Sequence, residues 1–135
     1  MTAPETHEYL VKAWQALGEA RVMPANNLAS AAGRAAYHAA FHAAQAFIFE
    51  ATGRSAKTHS GVRSEFARLG RDRPAINRGL SAFLARSYAL KESADYGIGA
   101  SAEISLEEAK QAITEAERFV ASVAEVLGAE RAPPP

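Results

Sequence analysis

The run Arg54-Ser-Ala-Lys-Thr-His59 brings an arginine, a lysine and a histidine together in one short stretch. A histidine titrates near neutral pH and can act as a general acid or base. Fixed cations beside it can stabilise the charge that develops on a phosphodiester. A short helix is predicted from about Ser60 to Leu69, and free N–H groups at a helix start also favour an anion such as phosphate. On this reading His59 is the acid/base group, Arg54 and Lys57 are phosphate clamps, and Thr58 belongs to the same binding stretch. The competing reading is architectural. Thr58 caps the short helix, His59 packs, and Arg54 and Lys57 are solvated.

Other residues suit different chemistry. His38 and His42 lie four apart and share a helix face, a spacing that holds a metal when facing helices add carboxylates. No Glu-x-x-His is present and Glu50 is the only acid in that helix, so two histidines hydrogen-bonded across an interface is the competing reading and no metal or other cofactor is expected. Lys91, Asp95 and Tyr96 cluster at a predicted helix end, where Asp95 can pair with a cation and Tyr96 can cover the bundle. Arg63, Arg68, Arg71, Arg73, Arg78 and Arg86 give the second half of the chain a local basic bias, suited to RNA or an acidic partner. The chain has no cysteine, which excludes disulfides and thiol chemistry, and its formal net charge of zero argues against binding nucleic acid or membrane by bulk charge. No glycine-rich phosphate loop, Ser-His-Asp signature or zinc-finger spacing occurs.

These residues must be positioned by helices. The central one is predicted over Asn27 to Thr52, where 11 of the 26 residues are alanine, with Asn26 or Asn27 as cap and Gly53 as stop. Its apolar residues go most of the way round, which predicts a helix buried among neighbours with one face left for a partner. A first helix, capped by Thr2 or Thr6, runs to about Val22 with Leu10, Ala13, Trp14 and Leu17 inward. A further helix runs from Pro74 to about Ser93, with Ile76, Leu80, Phe83, Ser87 and Leu90 inward. Residues 93–104 form a glycine-bearing loop. Ser105 and Glu108 make a capping box for a last helix carrying Leu106, Ala109, Ile113, Ala116, Val120, Val123 and Leu127. The expected fold is all-α: an antiparallel up-and-down four-helix bundle with one extra short helix. Residues 5–128 form one domain, 1–4 are frayed and 129–135 are a proline-rich tail. With no signal-like N-terminus and no lipid-facing span, a cytoplasmic protein is expected.

The run AAYHAAFHAAQAFIFEATGRSAKTHSGVRSEF, followed by SYALKESADYG and a final helix with AERFVASV, resembles the HEPN superfamily, closest to its small stand-alone bacterial and archaeal members. Tyr37, Phe41 and His42, then Lys57-Thr58-His59 with Gly61, then Asp95-Tyr96, carry the resemblance over residues 5 to 127. It implies a helical bundle that pairs as a two-fold homodimer. It also implies binding of RNA or nucleotide, in some members metal-independent ribonuclease activity at an Arg and a His four to six residues on, and in some a toxin–antitoxin-type system with a nucleotidyltransferase-like partner. On it, Arg54 and His59 are the catalytic candidates. Arg34, Tyr37, His42, Lys57, Thr58, Asp95 and Tyr96 are the binding candidates. The alternative function is a non-enzymatic module that docks a partner protein.

Overall fold

The computed structural model describes residues 3–22, 29–77, 79–96 and 104–128. Among them are six helices and no strand: α1 (Pro4–Val22), α2 (Ala29–Thr52), α3 (His59–Gly70), α4 (Pro74–Asn77), α5 (Leu80–Tyr96) and α6 (Leu106–Val126). The four long helices form the bundle, and α3 and α4 are the short connection. The expected caps at Asn26 or Asn27, most of the glycine loop and the proline tail lie outside the described residues.

Helix α2 is central because its small side chains let every neighbour come close. Ala32, Ala36, Ala39, Ala40, Ala43, Ala44 and Ala46 are completely buried, and α2 packs against α1, α3, α5 and α6. Larger residues fill the remaining space. Phe47, Phe66, Phe119 and Phe83 form a chain of rings with centroids 5.4, 5.1 and 6.0 Å apart, tying α2, α3, α6 and α5 together. Burying each such ring contributes roughly 1.5–3 kcal/mol. The alanines are therefore covered within one chain. The face of α2 left partly open is instead the strip Ala31, Arg34, His38 and His42, spaced three and four apart, which borders α1.

Two sequence expectations change at helix ends. Thr6 does not cap α1; it is fully buried inside it and donates to Glu50 Oε1 at 2.9 Å. Glu50, reaching across from the end of α2, also accepts the Ala3 N–H at 3.0 Å. A carboxylate from another helix thus takes an N–H at the start of α1. The single helix expected from Pro74 is broken into α4 and α5. Gly79 has φ +78°, a left-handed conformation that a continuous helix does not contain. The break lets fully buried Ile76 tuck against Gly70 at the end of α3, where no side chain would fit. The Ser105–Glu108 capping box is present, with hydrogen bonds of 3.0 and 3.1 Å.

Candidate functional site

Three helices meet at one polar and aromatic cluster. Its position depends on how α3 starts. Thr58 is extended (φ −88°, ψ 150°) and its Oγ1 accepts the Gly61 N–H at 3.0 Å. A side chain at 61 would come within 2.6 Å of that oxygen, so glycine is what allows the tight cap. His59, the first residue of α3, then faces into the bundle. Its ring centroid lies 5.1 Å from Phe41, 5.2 Å from Tyr88 and 5.6 Å from Tyr37.

Tyr37 is fully buried, and its hydroxyl lies 2.7 Å from His59 Nδ1. Burial pushes that hydroxyl up from 10.0 to about 12, against the opposing charge of Arg63, so it keeps its proton at neutral pH. The positive charge of Arg63 acts on the Tyr37 hydroxyl, and a cation favours the lone pairs of that oxygen over its proton. The Tyr37 lone pairs therefore turn toward Arg63 and its proton toward His59 Nδ1. That leaves the His59 proton on Nε2. Burial, then the charges of Lys91 and Arg63, hold His59 below its ordinary 6.5, with Glu92 opposing. His59 is thus neutral near pH 7 and offers a donor at Nε2.

Arg63 and Glu92 complete the cluster. The Arg63 guanidinium stacks 4.1 Å from the Tyr88 ring centroid. The Tyr88 hydroxyl donates to Glu92 Oε1 in a short hydrogen bond. That bond is the main reason the Tyr88 hydroxyl is raised, with burial second. Two buried atoms here have no hydrogen-bond partner: Arg63 Nη1, a donor, and Glu92 Oε2, an acceptor. Buried polar groups are nearly always paired, with protein, water or ligand, so these two atoms leave one donor and one acceptor open to a further partner.

The other predicted residues go elsewhere. Arg54, Lys57 and Thr58 line a hollow of about 430 Å3 with Thr52 and Arg68; His59 is not part of its wall. The Thr58 cap divides the RSAKTH stretch, with the two cations on one side and the imidazole on the other. Arg68 is held by Glu65 at 2.7 Å, while the Arg54 N–H donates to Thr52 Oγ1 at 3.1 Å. Arg34 and His42 border a groove of about 440 Å3 between α1 and α2, with His38, whose ring stacks 6.4 Å from that of His42. Among the described residues no three His, Asp or Glu side chains gather as a metal site would need. Asp95 and Tyr96 close α5, and their side chains lie outside the described residues.

Sequence reasoning did not place Arg63, Tyr88 and Glu92 in the site. Their spacing was the available signal. Arg63 is one turn on from His59, and Glu92 is one turn on from Tyr88, so each pair shares a helix face.

The HEPN domain family matches residues 6–126. The chain belongs to the HEPN family. The match takes in all six helices of the described bundle, α1 from its third residue. No curated protein matches this HEPN chain in sequence. Among the described residues no helix is long and apolar enough to cross a membrane.

Proposed function

We propose that this HEPN protein is a nucleotide- or RNA-binding module whose ligand engages His59, Arg63 and Lys91, with Tyr37 holding His59 in register. The reading rests on Arg63 Nη1 and Glu92 Oε2, a donor and an acceptor buried together without partners. A phosphate supplies acceptors to Arg63 and to the Nε2–H of His59, and the Tyr88 face suits a stacked base. Family membership adds to its support. Binding is favoured over proton abstraction because a histidine that already carries its proton on Nε2 is a donor there rather than a base.

The test is fluorescence anisotropy with labelled RNA oligonucleotides and with ATP and AMP analogues, in EDTA, on wild type, Arg63→Gln and His59→Gln. Loss of binding in both variants, with unchanged circular dichroism, is the expected result. Equal affinity in all three would overturn the site. RNA cleavage in EDTA that is lost in both His59→Ala and Arg54→Ala would instead establish a metal-independent ribonuclease working through the RSAKTH stretch. A homodimer and a toxin–antitoxin-type pairing with a nucleotidyltransferase-like protein are further parts of this reading, supported by family membership alone. Light scattering and co-purification test them.

A further inference from the structure

The two sides of the Thr58 cap ask for different partners. On the His59 side a donor and an acceptor are both open, at Arg63 Nη1 and Glu92 Oε2. In the hollow of about 430 Å3 on the other side, the open side-chain groups are chiefly donors. Its wall has three cations, Arg54, Lys57 and Arg68, and one carboxylate, Glu65. Arg68 takes Glu65 Oε2 through both Nε and Nη2, each at 2.7 Å. Among the described residues neither Arg54 nor Lys57 has an ion-pair partner. Ser55 Oγ accepts from the Tyr9 hydroxyl at 2.9 Å, and Thr58 Oγ1 accepts from the Gly61 N–H at 3.0 Å, so each keeps its own proton to give. A phosphodiester fits such a wall, because it is an anion with acceptors only. The hollow and the His59 cluster are also neighbours. Lys57 and His59 flank one extended residue, Thr58, so their Cα atoms are about 7 Å apart at most. One step along a flexible single strand covers such a gap. Cationic side chains beside aromatic rings are the general means of holding a single strand.

Given a nucleotide phosphate on His59 and Arg63, as proposed above, we infer that Arg54 and Lys57 hold the next phosphate of the same strand, across the Thr58 cap. The ligand of the whole site is then a single-stranded RNA of two or more nucleotides. A mononucleotide occupies the His59 side and leaves the two cations of the hollow unmatched.

The experiment measures AMP and the 5′-phosphorylated dinucleotide pApA against the full chain in EDTA, by calorimetry and by long-range 15N NMR spectra of the imidazoles. Both ligands should move the His59 resonances, with His42 as the reference. Wild type should bind pApA about tenfold more tightly than AMP, the gain from a second phosphate contact. Arg54→Gln and Lys57→Gln, changes at exposed positions, should each weaken pApA about fivefold and AMP far less. Each should also lower by about 0.7 the slope of log affinity against log salt for a hexanucleotide RNA. Lys110→Gln, the same loss of charge on α6, should do neither. Equal binding of AMP and pApA by wild type would overturn the inference. So would pApA affinities that Arg54→Gln and Lys57→Gln leave unchanged, or that Lys110→Gln lowers as much. His59 resonances that neither ligand moves, or AMP and pApA binding unaltered in Arg63→Gln, would instead overturn the reading at His59 and Arg63 itself.

Discussion

His59 and His42 stand in similar surroundings and hold their protons on opposite nitrogens. Both are half-buried, His42 on α2 and His59 packed against it, and burial is the first reason that both are held below 6.5. The difference lies in the partner of Nδ1. For His59 it is the hydroxyl of Tyr37, at 2.7 Å, whose lone pairs face the charge of Arg63. For His42 it is the oxygen of Gln45, at 2.8 Å, whose nitrogen already donates to a carbonyl. One neighbour has a proton to give and the other has none. The role open to each imidazole, donor in one place and acceptor in the other, is decided one bond further out than the ring itself.

The largest effect should come from removing the Tyr37 side of the comparison. Tyr37→Ala empties a fully buried position and should lower stability by about 3–5 kcal/mol in urea unfolding. Tyr37→Phe keeps the ring and removes the hydroxyl, and should cost about 1–3 kcal/mol while freeing His59 to exchange tautomers. The His42 imidazole spectrum should not change in Tyr37→Phe; if it does, the two histidines are not independent.

The mirror change is Gln45→Leu, which leaves His42 Nδ1 and the Ala56 carbonyl unpaired. We expect a loss of about 1–3 kcal/mol and a mixed His42 tautomer, with His59 unaltered. An unchanged His42 spectrum would show that Gln45 does not set its proton.

Acid should act on both histidines in one direction. Each is depressed in the folded protein, so the unfolded chain takes up its proton first as pH falls through 6.5. Stability from these two groups is full above about 6.5, is lost as pH falls through the folded values, and then levels off. His59→Gln and His42→Gln should each remove part of that slope in unfolding curves taken from about pH 8 to pH 5. A slope left whole by both variants would place its origin elsewhere. The smallest effect serves as a reference. Arg21 and Glu117 pair at 2.7 Å on the surface, so Glu117→Gln should change stability by less than about 1 kcal/mol and leave both imidazole spectra as they were.

The fold was largely legible. Alanine content and all-round apolarity marked α2 as the buried centre, period-3.6 stripes gave α1 and α6, and Ser105 with Glu108 gave the start of α6 to the residue. The break at Gly79 was not legible. A glycine within a helical pattern is often tolerated, and only the room that Ile76 needs beside Gly70 explains why the chain turns there. Thr6 read as a cap because its type suits one. Its carboxylate partner, Glu50, sits at the far end of the next helix.

By itself the sequence determined which side chains with useful chemistry exist, and which of them lie along one helix face, because that is local geometry. It placed Arg54, Lys57 and His59 in one stretch, and Tyr37, His38 and His42 in another. Tertiary structure alone decided how they were grouped. The Thr58 cap separates His59 from the two cations beside it in sequence, and packing of α2 against α3 and α5 gives it Tyr37, Arg63, Tyr88 and Glu92 instead. It also decided where the protons sit. A tautomer depends on whether the partner's own proton is already committed, and that is settled only when residues far apart in the chain are brought within hydrogen-bonding distance.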